Sequence, residues 1–70
     1  MSKFMKINKV APKYVLVSKK DGEKLGEIYF HVSWRKWVFE PETSSFFDAE
    51  CLKDVIEWLK DIHDGKLVVN

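Results

Sequence analysis

The residues that staple or punctuate a chain are scarce here: one cysteine, two prolines and three glycines in seventy positions. A lone thiol, Cys51, closes no internal disulfide and supplies no C-x-x-C zinc module, which excludes a disulfide scaffold and a zinc ribbon. No Gly-rich phosphate loop and no H-E-x-x-H pattern occur. No apolar run approaches the roughly 20 residues of a membrane-spanning helix. The opening Met1-Ser-Lys-Phe-Met-Lys6 has no apolar stretch after its charges, so no signal peptide is read there and the expected compartment is the cytoplasm. Internal repeats, low-complexity tracts and linkers are likewise missing. A disordered chain is excluded by what remains, since 46% of the residues are hydrophobic and 14% aromatic.

That content makes one domain over residues 1–70. A chain of this size buries only about 60% of its unfolded surface, and its core rarely contributes more than roughly 3–5 kcal/mol. Small chains without staples often gain the rest from a partner, so a homodimer is expected. Charge is uneven although the net is +1: residues 1–40 carry nine Lys or Arg against four Asp or Glu, and residues 41–70 carry three against seven. The front is basic and the back acidic, which orients a molecule in a field without naming its partner.

Residues 1–12, with Lys3, Lys6 and Lys9 between Phe4, Ile7 and Val10, form either a leading strand or a basic arm ended by Pro12. Residues 14–40 read as a β-meander. Tyr14–Lys19 is β-branched and aromatic, and Asp21-Gly22 supplies the positive φ of a tight hairpin. Lys24–His31 returns, with Gly26 marking a bulge or a close backbone approach. Val32–Arg35 reverses the chain again, and Lys36–Glu40 makes a third strand that Pro41 stops. Asp48 is the expected N-cap, with Ser45 as the alternative. A helix over 48–64 follows, with Gly65 fitting the residue after its end. At 100° per residue Cys51, Leu52, Val55, Ile56, Trp58, Leu59, Ile62 and His63 fall on one side, and Glu50, Lys53, Asp54, Glu57, Lys60, Asp61 and Asp64 on the other. So broad a stripe buries against a sheet. Lys66–Val69 either adds an edge strand or packs. The fold class is therefore α+β: a three-stranded, or four-stranded, antiparallel meander and one C-terminal amphipathic helix across one face.

One helix covers one face. Ile28, Phe30 and Val32 are expected under it with Val15 and Val17, which leaves Tyr14, Leu16, Leu25, Tyr29 and His31 on the open side. Strand three admits Trp37 with Phe39, or Val38, as its inward set. The open face is too apolar to be merely solvated, and such a patch marks an interaction surface. A second copy of the chain, or a terminal segment of the same chain, is the plainest occupant of that face.

Trp34-Arg35-Lys36-Trp37 sets two cations between two indoles, with Tyr29 and His31 across the reversal. Aromatic faces stack on unpaired bases while neighbouring cations hold phosphates. Lys19, Lys20 and Lys24 extend the basic track. The plain alternative is a hairpin whose Trp rings pin the turn while Arg35 and Lys36 point to water. The acidic helix back suits a basic partner, but reads more simply as a solvated face with Lys53–Glu57 and Glu57–Lys60 pairs. Catalysis finds little: Cys51 near a helix start has no His or acid at telling spacing, His31 and His63 are isolated, and Glu40 and Glu42 are two loop carboxylates around Pro41. No cofactor and no metal are expected.

Gly26-Glu-Ile-Tyr-Phe30, Trp34-Arg-Lys-Trp-Val-Phe-Glu-Pro-Glu42, and Phe47 leading into Cys51-Leu-Lys-Asp-Val-Ile-Glu-Trp-Leu59 resemble a widespread kind of short bacterial and phage-type protein. That resemblance covers about half the chain and implies a β-meander plus helix without an activity. The order of elements and the Tyr14-to-Phe30 hairpin with its Asp-Gly turn also resemble the fold of positive cofactor four, a single-stranded-DNA-binding coactivator, with a shorter segment here before the helix. The expected function is a non-enzymatic accessory protein binding single-stranded DNA or RNA through its aromatic and basic sheet surface. The alternative is a protein-interaction module, a phage-type host modulator or a subunit of a larger assembly, that uses the open face.

Overall fold

The computed structural model describes residues 3–67. The basic opening segment is a strand: β1 (Met5–Val10), β2 (Lys13–Ser18), β3 (Lys24–His31) and β4 (Lys36–Pro41) lie in the order β1-β2-β3-β4, every neighbouring pair antiparallel. The meander is thus four-stranded, and α1 (Ala49–His63) follows it. Of the C-terminal Lys66–Val69 segment, Lys66 and Leu67 are outside any strand, and Val68 and Val69 lie outside the described residues.

The turns follow their residues. At the β2–β3 reversal Gly22 takes φ +74°, and the Asp21 carboxylate accepts from the Glu23 N–H at 3.0 Å. The β3–β4 reversal, Val32–Arg35, contains no glycine, and Arg35 itself takes the left-handed conformation at φ +55°. Gly26 is where the backbone is approached closely. The Phe39 ring lies over it, so that a Cβ there would stand 2.6 Å from a ring carbon and 2.8 Å from the Glu40 carbonyl oxygen.

Register settles which side chains share a face, because cross-strand partners point the same way. Ile7 pairs with Leu16, Leu16 with Gly26, Tyr14 with Ile28, Ile28 with Phe39 and Phe30 with Trp37. Met5, Leu16 and Ile28 are fully buried, Val55 and Ile62 of the helix complete the core, and Ile7, Tyr14, Trp37, Phe39, Phe47, Trp58 and Leu59 pack around them. This corrects the expected phase of β2. Tyr14 and Leu16 face the helix, and Val15 and Val17 face away, opposite Glu27 and Lys24. Leu25, beside the irregularity between Leu16 and Val17, also packs against the core. Val32 lies past the end of β3, 78% exposed, and belongs to neither face. In β4 the inward pair is Trp37 with Phe39, the rings closing on Tyr14 and Phe30, and on Phe47, at centroid distances of 5.2–5.9 Å.

Asp48 caps α1, its Oδ1 accepting from the Cys51 N–H at 2.9 Å, and Gly65 at φ +70° follows the last turn. The expected apolar half of the helix is wider than the sheet beneath it. Val55 and Ile62 are buried and Cys51, Trp58 and Leu59 half-buried, but Leu52 and Ile56 are 44% and 51% exposed. Phe46, just before the helix, is exposed almost completely.

Candidate nucleic-acid interface

The face of the sheet turned away from the helix carries Lys6, Asn8, Val10, Lys13, Val15, Val17, Lys24, Glu27, Tyr29, His31, Lys36, Val38 and Glu40, as the register requires. Its middle is an ion-pair belt. Glu27 accepts from the Lys13 amine and, at 3.0 Å, from the Lys24 amine, which also reaches Glu42 at 3.2 Å. The Lys13 and Lys24 hydrogen bonds hold the Glu27 carboxyl below its ordinary value. Glu27 and Glu42 hold the Lys24 amine above its own.

Along β3 and its turn the same face presents rings in sequence. Tyr29 stacks on His31 with centroids 6.4 Å apart, and His31 lies against Trp34 at 4.9 Å. Strand alternation puts Tyr29 and His31 two residues apart on one side, and the reversal folds Trp34 back against His31. The Trp34 N–H donates to His31 Nδ1 at 3.3 Å, which fixes the turn against the ring. Trp34 is 66% exposed. Partial desolvation raises the Tyr29 hydroxyl above its ordinary pKa, and the neighbouring Glu40 carboxylate adds to the shift. Arg35 and Lys36 stand at the end of this strip, both exposed.

The residues singled out in the sequence therefore divide into three groups. Tyr29, His31, Trp34, Arg35 and Lys36 come together at one pole of the outer face. Trp37 sits on the opposite face, in edge contact with Tyr14 and Phe30. Lys19 and Lys20, in the β2–β3 turn, and Lys24, at the start of β3, lie a strand's length from His31, about 23 Å at 3.3 Å per residue. The sequence did not single out Glu27, and it read Glu40 and Glu42 as loop carboxylates around Pro41; Glu40 lies within β4, and only the register reveals these negative charges as neighbours of the strip.

Cys51 is half-buried near the start of α1. Burial pushes its pKa up, and the Asp48 carboxylate beside it adds to that. Among the described residues no group of three His, Cys, Asp or Glu side chains could hold a metal ion, and no helix is long and apolar enough to cross a membrane. Compared with protein-family models, curated proteins and solved structures, the chain matches none.

Proposed function

We propose that this chain is a non-enzymatic protein that binds single-stranded DNA or RNA, with Tyr29, His31 and Trp34 stacking on bases and Arg35 and Lys36 meeting phosphates. The observation that carries the reading is the continuous stack of three rings ending in an exposed indole with two unpaired cations beside it. Stacking of this kind tolerates any base, so little sequence preference is expected. Glu27, Glu40 and Glu42 repel a backbone laid across the middle of the sheet. The strand is therefore proposed to contact the Trp34 pole, with Lys20 reached only by a longer one. The proposed compartment is the cytoplasm. Titration of the intrinsic Trp emission with short oligonucleotides at two salt concentrations tests this. Salt-sensitive quenching is expected, and Trp34→Ala is expected to weaken binding about tenfold or more, since one base–aromatic stack is worth about 1–3 kcal/mol. Absence of binding at low salt, or a Trp34→Ala variant that binds like the parent, overturns it.

A second reading, a protein-interaction module, is favoured by a different observation: the solvent-facing Leu52, Ile56 and Phe46. A homodimer is part of both readings. Dimerisation across the outer face would cover the ring stack and exclude the strand, so a surface elsewhere is required if both hold.

A further inference from the structure

We infer that two copies of this chain pair antiparallel through the free edge of β4, joining their sheets into one, with Val38 on the two-fold axis. The inference goes beyond the nucleic-acid reading and does not depend on it.

β4 is the last strand of the sheet, and among the described residues nothing pairs with its far side. The Glu42 N–H donates to the Leu25 carbonyl at 2.9 Å, so Leu25 and Glu42 are a hydrogen-bonded pair. Antiparallel ladders alternate, which makes Glu27–Glu40, Tyr29–Val38 and His31–Lys36 bonded pairs as well. The backbone groups of Trp37, Phe39 and Pro41 then point outward, away from β3. Pro41 has no N–H to lose from the ladder at that position, which is why it lies within the strand rather than ending it.

The strand is self-complementary about Val38. Antiparallel pairing with a second copy in that register sets Trp37 opposite the partner's Phe39 and lets them exchange both backbone hydrogen bonds, and the symmetry repeats this at Phe39. On the outer face Lys36 falls opposite the partner's Glu40, twice, and Val38 meets the partner's Val38. On the helix side aromatic meets aromatic. Shifting the register by two residues breaks this: in one direction Trp37 faces Pro41, which cannot donate, and in the other Lys36 faces Val38 in place of Glu40. A lone edge lysine deters pairing, whereas Lys36 and Glu40 four residues apart select this one.

The helix supplies a second observation. Glu50, Lys53, Asp54 and Glu57 border a shallow cleft with Lys3 and Phe4, so this flank of α1 is turned toward the start of β1. Two helical positions span about 200°, so Leu52 and Ile56, two places after Glu50 and Asp54, lie on the opposite flank, toward β4. The exposed apolar flank thus stands on the side of the sheet that has the free edge, where a second copy would cover it. An isologous contact of this kind closes on itself and does not propagate.

Sedimentation of the full chain without nucleic acid tests the interface. The parent is expected to reach twice the chain mass at tens of micromolar concentration. Lys36→Glu or Glu40→Lys alone turns two attractive cross-strand pairs into repulsive ones and is expected to raise the dimer dissociation constant about tenfold. The double exchange should restore it to within about threefold. In a Cys51→Ser background, Val38→Cys should form a covalent dimer with diamide as oxidant, because directly opposed non-bonded positions bring the Cα atoms within disulfide reach. Val15→Cys on an inner strand should not. A parent that stays monomeric at hundreds of micromolar concentration, or single reversals without effect, or equal cross-linking at Val15 and Val38, overturns the inference. Trp34→Ala leaves the dimer intact if the inference holds, so loss of strand binding and loss of dimerisation are read separately.

Discussion

The backbone N–H of Trp34 donates to Nδ1 of His31 across the β3–β4 turn, and the two rings lie 4.9 Å apart. The imidazole therefore holds the turn that carries the most exposed indole of the chain.

His31→Ala removes both the acceptor and the ring beneath Trp34. Both residues lie outside the core, so unfolding free energy should change by less than about 1 kcal/mol. Acrylamide quenching of Trp emission should increase, and affinity for a short single strand should fall about fivefold or more. A parent-like affinity in this variant would remove His31 from the stack's function.

Asp48 is the N-cap of α1, and its hydrogen bond with the Cys51 N–H holds its carboxyl below the ordinary value. A carboxyl depressed in the folded state stabilises fully above the ordinary carboxylate range, and that contribution is lost as pH falls through the folded value. Asp48→Asn keeps an acceptor without the charge and should flatten this acid dependence. Asp48→Ala should also lower the thermal midpoint by a few degrees at neutral pH. Thermal unfolding of the three proteins followed between neutral and acid pH measures both effects.

Gly26→Ala has no room. The added Cβ meets the Phe39 ring and the Glu40 carbonyl, and backbone cannot yield as a flexible side-chain end does. A cost of about 1–3 kcal/mol is expected in urea unfolding. Phe39→Leu in the same chain should recover part of it by withdrawing the ring.

Ile62 and Ile56 are the same residue on the same helix, one 8% and the other 51% exposed. Ile62→Val should cost about 1 kcal/mol and Ile62→Ala about 2–5, comparable with the whole stability expected of so short a chain. Ile56→Val should change the stability of the monomer by a few tenths at most. Chemical denaturation at sub-micromolar concentration, where association does not contribute, distinguishes them.

Local chemistry alone determined much of this protein. Asp21-Gly22 marks a hairpin, the run from Cys51 to Ile62 repeats at helical period, and Asp48 can cap it, because each depends on contacts within a few residues. Positions 24–31 and 49–63 accordingly form the elements the pattern indicates. The ring strip was legible in part, since Tyr29 and His31 share a face by alternation and Trp34 and Arg35 follow in the turn. The phase of β2 was not legible. Tyr14-Val-Leu-Val17 is apolar at every position, so alternation offers two equal answers, and the choice is made by Leu16 standing opposite Gly26, over which the Phe39 ring packs. Likewise Trp34 and Trp37, two aromatics three residues apart, end on different faces because Trp34 lies in the Val32–Arg35 turn and Trp37 in β4. The width of the helix stripe gave no sign that Leu52 and Ile56 would stay exposed, because how much of a stripe is buried depends on where the sheet ends. Tertiary structure decided these points for one physical reason: strand register and sheet edges are set by pairing between distant segments, and no local spacing encodes which partner that will be.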